Sequence, residues 1–233
     1  MREFLNNPFS SLRLCVSAVN FLKTMHFDLQ NLAPRESYKL LTGVVVPRPI
    51  ALVTSRNEAG KLNAAPFSFF NLLGANPPII ALGIGDKSEN EPKDSARNIR
   101  HSGEFVVNLV SRELAQAMNI CAVDFPAEIS EIEAAKLQTV ASHFIKVPRI
   151  ANSPAALECR AHTTLQIGEN RVILAEVVAL YIADSLIDAE KHSVDTPGLG
   201  LIGRMGGAGG YCDTSGSFEL ARLSFEEWQR RAR

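Results

Sequence analysis

Very little in this chain marks it for nucleic acid, metal or membrane. Lysine and arginine total 24 against 25 aspartate and glutamate, a net charge of −1 over 233 residues. No basic excess exists to neutralise phosphate backbones or an anionic bilayer surface, so neither a nucleic-acid nor a membrane partner is expected. No run approaches the roughly 20 apolar residues of a membrane span. The four cysteines, Cys15, Cys121, Cys159 and Cys212, stand far apart with no C-x-x-C pair. That spacing argues against zinc ribbons and thioredoxin-type centres, and a reduced cytoplasmic protein fits best. None of the five histidines forms H-x-x-x-H, and there is no G-x-S-x-G, so neither a zinc protease nor a hydrolase nucleophile is indicated. His101 and His162 each stand alone and read as structural or surface residues.

What is present is a chain 46% hydrophobic and 21% charged, enough to bury the core of one domain. Residues 1–24 carry Arg2, Arg13 and Lys23 against Glu3, with Ser10, Ser11 and Ser17, a composition with a faint likeness to a transit peptide. Arg13 breaks the apolar run, and His26-Phe-Asp-Leu29 leads straight into patterned sequence. The expected division is a dispensable extension over 1–24, a domain over 25–211 and a tail over 212–233.

Strand signals dominate. Pro34 opens a helical segment through Tyr38 and Leu41. Pro49 to Ser55 and Leu62 to Phe70 read as a hairpin around Asn57-Glu-Ala-Gly60, and Pro78 to Ile84 as a buried strand. Asp94 or Ser95 caps a helix ending near Gly103, and Phe105 to Val110 is a further strand. Ser111 caps a helix with Leu114, Ala117, Met118 and Cys121 on one apolar stripe. Residues 124–146 suggest a surface excursion or helical lid. Ala156 to Leu165 and Arg171 to Ile182 flank Gly168-Glu-Asn170 as a second hairpin. Hairpins without regular strand-helix alternation argue for an antiparallel barrel, an α+β protein that is mainly β with short peripheral helices. Gly198-Leu-Gly-Leu-Ile-Gly203 matches G-x-G-x-x-G, but Pro197 and the glycines that follow forbid the long helix a dinucleotide fold needs. A flexible loop is expected there.

Three segments carry the chemistry. Asn63-Ala-Ala-Pro-Phe-Ser-Phe-Phe-Asn71 sets aromatic and hydroxyl residues around a proline that cannot serve an interior ladder. Val45-Val-Pro-Arg-Pro-Ile-Ala-Leu-Val-Thr-Ser55 holds Arg48 extended between two prolines, which suits a ligand-facing guanidinium. Lys93-Asp-Ser-Ala-Arg-Asn-Ile99 places a cation and two polar residues at a helix start, where amides and dipole favour an anion. An ordinary N-cap with a solvated lysine is the competing reading.

In this order the segments resemble the flavin reductase-like family of FMN-binding split barrels, which includes flavoredoxin and the reductase partners of two-component monooxygenases. The likeness covers roughly Met25 to Tyr211. It implies an antiparallel split barrel that binds FMN noncovalently, forms a homodimer and passes hydride from NAD(P)H to flavin N5. A monooxygenase or another acceptor then takes the electrons. It implies cofactor contacts at Arg48, Thr54, Ala65, Pro66, Phe67, Ser68, Phe69, Asn71, Lys93, Asp94, Ser95 and Arg204, with no catalytic side chain, since the flavin does the chemistry. Tyr211 matches the same family pattern as Arg204. An FMN electron carrier like flavoredoxin, without its own nicotinamide activity, is the alternative, and a barrel that has lost its cofactor is a third.

Overall fold

The computed structural model describes residues 24–126 and 128–231; the dispensability expected of 1–24 concerns residues that, Thr24 apart, lie outside that set. Two compact units divide the chain between Tyr38 and Lys39. In the first, Asp28 accepts from Gln30 N at 3.0 Å and Asn31 Nδ2 at 2.7 Å to start a 3-10 turn, Leu29–Asn31. Helix α1 (Pro34–Val44) begins at Pro34, where the missing N–H costs nothing.

In the second unit the strands β1 (Arg48–Pro49), β2 (Ala51–Arg56), β3 (Leu62–Phe67), β4 (Phe70–Ala75) and β5 (Pro78–Gly85) precede α2 (Asp94–Ser102) and β6 (Glu104–Leu109). After them come α3 (Ala115–Ile120), α4 (Glu131–Ala134), β7 (Thr139–Val140), β8 (Arg149–Ile150), β9 (Ala155–Ile167) and β10 (Asn170–Ile182). The chain closes with β11 (Ile187–Asp188), β12 (Ser193–Val194), β13 (Ile202–Arg204), β14 (Tyr211–Asp213) and α5 (Phe225–Arg231).

Seven strands make one sheet in the order β3-β2-β6-β9-β10-β5-β4, every neighbouring pair antiparallel. The sheet curls into a barrel whose two edge strands, β3 and β4, share no ladder, which is the split. One strand was expected from Leu62 to Phe70, and the chain instead turns at Ser68–Phe69. The Phe69 carbonyl leaves β3 to accept from Gly83 N at 2.6 Å. Gly83 permits that approach, since a Cβ there would meet Phe69 Cβ at 3.0 Å.

Alternate residues of the strands fill the barrel: Ala51 and Val53, Ile80, Leu82 and Ile84, Phe105 and Val107, Ile173 and Ala175, with Ala96 and Ile99 of α2 packed onto them. The other face of β2 and β3 is also covered, because Leu52 and Ala64 pack with Leu114, Met118 and Cys121. Burial on both faces explains why residues 50–53 are apolar without alternation. The stripe expected on α3 is therefore core, but the helix starts at Ala115 rather than after Ser111. Ser111 bridges to Leu201, and Arg112 N donates to Gly200 O at 2.9 Å, so those residues are committed to the segment just before β13. Within 124–146 the only helix among the described residues is the four-residue α4. The small sheet β1-β13-β14 completes the unit, and β14 runs two residues past the boundary expected at Tyr211. No described helix is long and apolar enough to cross a membrane.

Candidate functional site

A cavity of about 630 Å³ lies along β3, between the end of β5, the start of α2 and the segment after α3. Its walls include Ala65, Pro66, Phe67, Lys93, Asp94 and Ser95 from the expected set, together with Asn63, Asp86, Lys87, Cys121, Phe125 and Glu131. As an edge strand, β3 has a ladder partner on one side only, so Pro66 removes no needed donor, and backbone groups on its open edge are available to a ligand.

The charges along this wall are unevenly used. The Asp86 side chain is buried and is held by Arg171, whose Nε and Nη2 donate to its two oxygens at 2.6 and 3.0 Å. Asp94 is bracketed by Lys87 at 3.1 Å and by Arg97. Lys93, at the N-cap of α2, has no ion pair among the described residues and makes no side-chain capping bond. A cation there is opposed by the helix dipole by about 0.3–1 kcal/mol, while the first-turn amides of α2 also want an acceptor. Both defects are relieved by an anion. Asn63 Nδ2 donates to Ser95 Oγ at 3.0 Å, which leaves the Ser95 hydroxyl its own proton to donate. Cys121 stands on the same wall with its thiol pushed up to about 12, first by burial and then by the Glu131 carboxylate, so it is no nucleophile at neutral pH.

The remaining expected residues do not line this cavity. Arg48, expected to face a ligand, is 6% exposed, and its guanidinium donates to the carbonyls of Thr42 at 2.7 Å, Val45 at 2.6 Å and Met205 at 3.3 Å. It closes the C-terminal turn of α1, whose carbonyls have no intrahelical partners. Thr54 is wholly buried and donates to Pro148 O at 2.8 Å, which ties the sheet to the segment before β8. Arg204 stacks on Tyr211, its cross-strand neighbour, at 4.8 Å. Its guanidinium also donates to the carbonyls of Gly207, Ala208 and Gly210 at 3.1–3.2 Å, so it braces the glycine-rich turn. Phe69 is half exposed at the barrel seam, Asn71 is exposed on β4 and caps Leu72 N at 2.9 Å, and Ser68 lies 3.5 Å from Arg48 Nε. In the G-x-G-x-x-G run, Gly203 sits inside β13, where a Cβ would come within 2.8 Å of Pro47 Cβ. Close packing, not phosphate, accounts for it.

Sequence reasoning missed Asp86, Lys87, Cys121, Phe125 and Glu131 as cavity residues because they come from elements far from β3 in sequence: the end of β5, the segment after α3 and the start of α4. Asn63 was legible, since it opens the aromatic run. Among the described residues no group of three or more His, Cys, Asp or Glu could hold a metal ion.

An antiparallel split barrel with an anion-suited cavity on its open edge strand defines the class. The flavin reductase like domain family matches residues 43–196, and the chain belongs to that family. A protein of Deinococcus radiodurans with no assigned function is 51% identical over 209 residues, 88% of this chain and 92% of that one. Nitrilotriacetate monooxygenase component B from Bacillus cereus superposes with a TM-score of 0.80 at 33% identity, covering 84% of this chain and 98% of its own. For 2-nitrobenzoate 2-nitroreductase from Pseudomonas fluorescens the values are 0.79, 38%, 86% and 98%.

Proposed function

We propose that the cavity along β3 holds FMN and that the chain is an NAD(P)H-dependent flavin reductase. The observation that carries the reading is Lys93, a cation with no carboxylate partner among the described residues, at the N-terminus of α2 and on the rim of a cavity walled by Pro66 and Phe67. The donor set fits the cofactor: Lys93, the α2 amides and the Ser95 hydroxyl suit a phosphate, and the apolar side chains with the open backbone edge of β3 suit a flat ring with a polar rim. A volume of about 630 Å³ falls in the range of roughly 300–1,000 Å³ for cofactor pockets.

When bound, FMN would supply the redox chemistry, accepting hydride from a nicotinamide at N5. The chain's own residues position and shield. Arg171 neutralises Asp86, and Lys87 with Arg97 neutralises Asp94, so these two carboxylates do not repel the phosphate. Asn63 fixes the Ser95 oxygen and thereby the direction of its proton. Pro66 and Phe67 exclude water from one wall. The likeness to a monooxygenase component B supports an oxygenase as the acceptor of the electrons, and a homodimer as the working form is part of the same reading. The three described cysteines are free, which suits the cytoplasm.

The test is anaerobic titration of the purified protein with NADH and NADPH while following flavin absorbance. A yellow protein that releases FMN on denaturation and is bleached by a nicotinamide is expected. A colourless protein that takes up no added FMN contradicts the reading, and a yellow protein inert to both nicotinamides makes it a flavoredoxin-like carrier instead.

A further inference from the structure

Two side-chain hydrogen bonds pin α2 to the β2–β3 hairpin. Asn63 Nδ2 donates to Ser95 Oγ at 3.0 Å, and Asn98 Nδ2 donates to Ser55 Oγ at 3.1 Å. Ser55 and Asn63 are direct cross-strand partners, so their side chains stand together on one face of the sheet. Ser95 and Asn98 are i, i+3 on α2 and share one face of that helix. The two spacings agree, since three helical residues advance about 4.5 Å and neighbouring strands lie about 4.8 Å apart. The helix therefore crosses the hairpin, from β3 at its start to β2 one turn later. That course directs its N-terminus past the open edge of β3.

Ser55, Ser95 and Asn98 are all buried, and Ala96 and Ile99 of the same helix already pack into the barrel core. Apolar contacts would hold α2 against the sheet but tolerate small shifts, because hydrophobic packing is non-directional. A hydrogen bond tolerates less, in distance and in angle. One such bond, at Ser95, leaves a pivot, and the second, at Asn98, removes it. The far end of α2 is tied by the chain itself, since Gly103 at φ 70° turns directly into β6. Its start follows the connector 86–93 and has no such tie.

We propose that Asn98 and Ser55 are positioning residues of the phosphate site: their bond sets the tilt of α2 and so aims the first-turn amides and the Ser95 hydroxyl at the anion. Neither residue lines the cavity along β3, so each acts through the helix rather than by touching the ligand. The inference rests on the FMN reading of that cavity.

Fluorescence titration of the full chain with FMN and riboflavin tests it in Asn98→Ala, Ser55→Ala, the double variant and Ser55→Thr. Each single alanine variant is expected to lose about fivefold or more in FMN affinity, the worth of a helix-terminus contact, with riboflavin affinity unchanged. The double variant should lose no more than the larger single loss, because both substitutions break one bond. Ser55→Thr keeps the accepting oxygen and should keep the wild-type ratio of FMN to riboflavin affinity. That ratio separates positioning from stability alone: an unfolding midpoint that falls while the ratio stays at wild type overturns the proposal. Equal loss of both ligands overturns it too, as do additive losses in the double variant. If Asn98→Ala does not fold, Ser55→Ala and Ser55→Thr still decide: a ratio lowered in the first and kept in the second supports the proposal, and any other pattern overturns it. A wild type that binds FMN and riboflavin alike is a separate result, and removes the phosphate reading of the cavity itself.

Discussion

Arg48 and Lys93 are both cations beside a helix terminus, yet they meet opposite ends of their helices. Arg48 follows the C-terminal turn of α1, where orphan carbonyls accept its guanidinium at 2.6 and 2.7 Å. Lys93 precedes the first turn of α2, where the neighbouring backbone groups are donors and its side chain caps nothing. The helix dipole favours the first arrangement and opposes the second. The cation at the carbonyl end is structural, and on the reading proposed above the cation at the amide end serves a ligand. The same contrast separates the cysteines, since Cys121 is buried on the cavity wall while Cys212, in β14, is partly exposed.

The comparison can be broken at several points. The largest effect is expected at the cavity's buried pair: Arg171→Ala strands the Asp86 carboxylate and should lower unfolding free energy by about 3–5 kcal/mol. A loss of less than about 1 kcal/mol in urea denaturation would mean the pair is solvated. Arg48→Ala leaves the carbonyls of Thr42, Val45 and Met205 short of donors, with an expected loss of about 3 kcal/mol. Flavin affinity of the folded protein should stay unchanged; a stable Arg48→Ala protein that no longer holds flavin would reverse the assignment.

Much of this architecture could be read beforehand, and the reason differs by region. The β2–β3 and β9–β10 hairpins, β5 and α2 follow from local turn residues and short apolar runs, which the chain carries in sequence neighbours. Breaks at Ser68–Phe69 and at Ser111 were illegible because each depends on a distant backbone group, Gly83 N in one case and Gly200 O in the other. The roles of Arg48 and Arg204 were hidden for a related reason. Their acceptors are main-chain carbonyls, one of them on Met205, and no residue type announces a free carbonyl. Lys93, Ser95 and Pro66 could be placed because helix starts and edge prolines are local signals.

Smaller effects sharpen the contrast. Arg204→Ala removes the Tyr211 stack and three carbonyl contacts from a partly exposed turn, and should cost about 1 kcal/mol in thermal or urea unfolding without changing flavin content. Thiol labelling followed by peptide mapping should modify Cys212 well before Cys121 or Cys159, both of whose thiols burial pushes up to about 12. The unfolded chain gives up those two protons near pH 9 and the native state keeps them. Stability is therefore full below pH 9 and falls as pH rises toward 12. A Cys121→Ala, Cys159→Ala protein should lose that decline, and an unchanged alkaline limb would assign it to other groups.

The central claim, that Lys93 waits for a phosphate, is tested by comparing FMN and riboflavin binding in wild type and Lys93→Ala. A charge-assisted contact of about 1.5–3 kcal/mol predicts a loss of about ten- to a hundredfold in FMN affinity. Riboflavin, which lacks the phosphate, should bind both proteins equally, and the unfolding midpoint of the ligand-free protein should not move. Equal loss of both ligands, or no loss of either, would contradict the account and return Lys93 to an ordinary solvated cap.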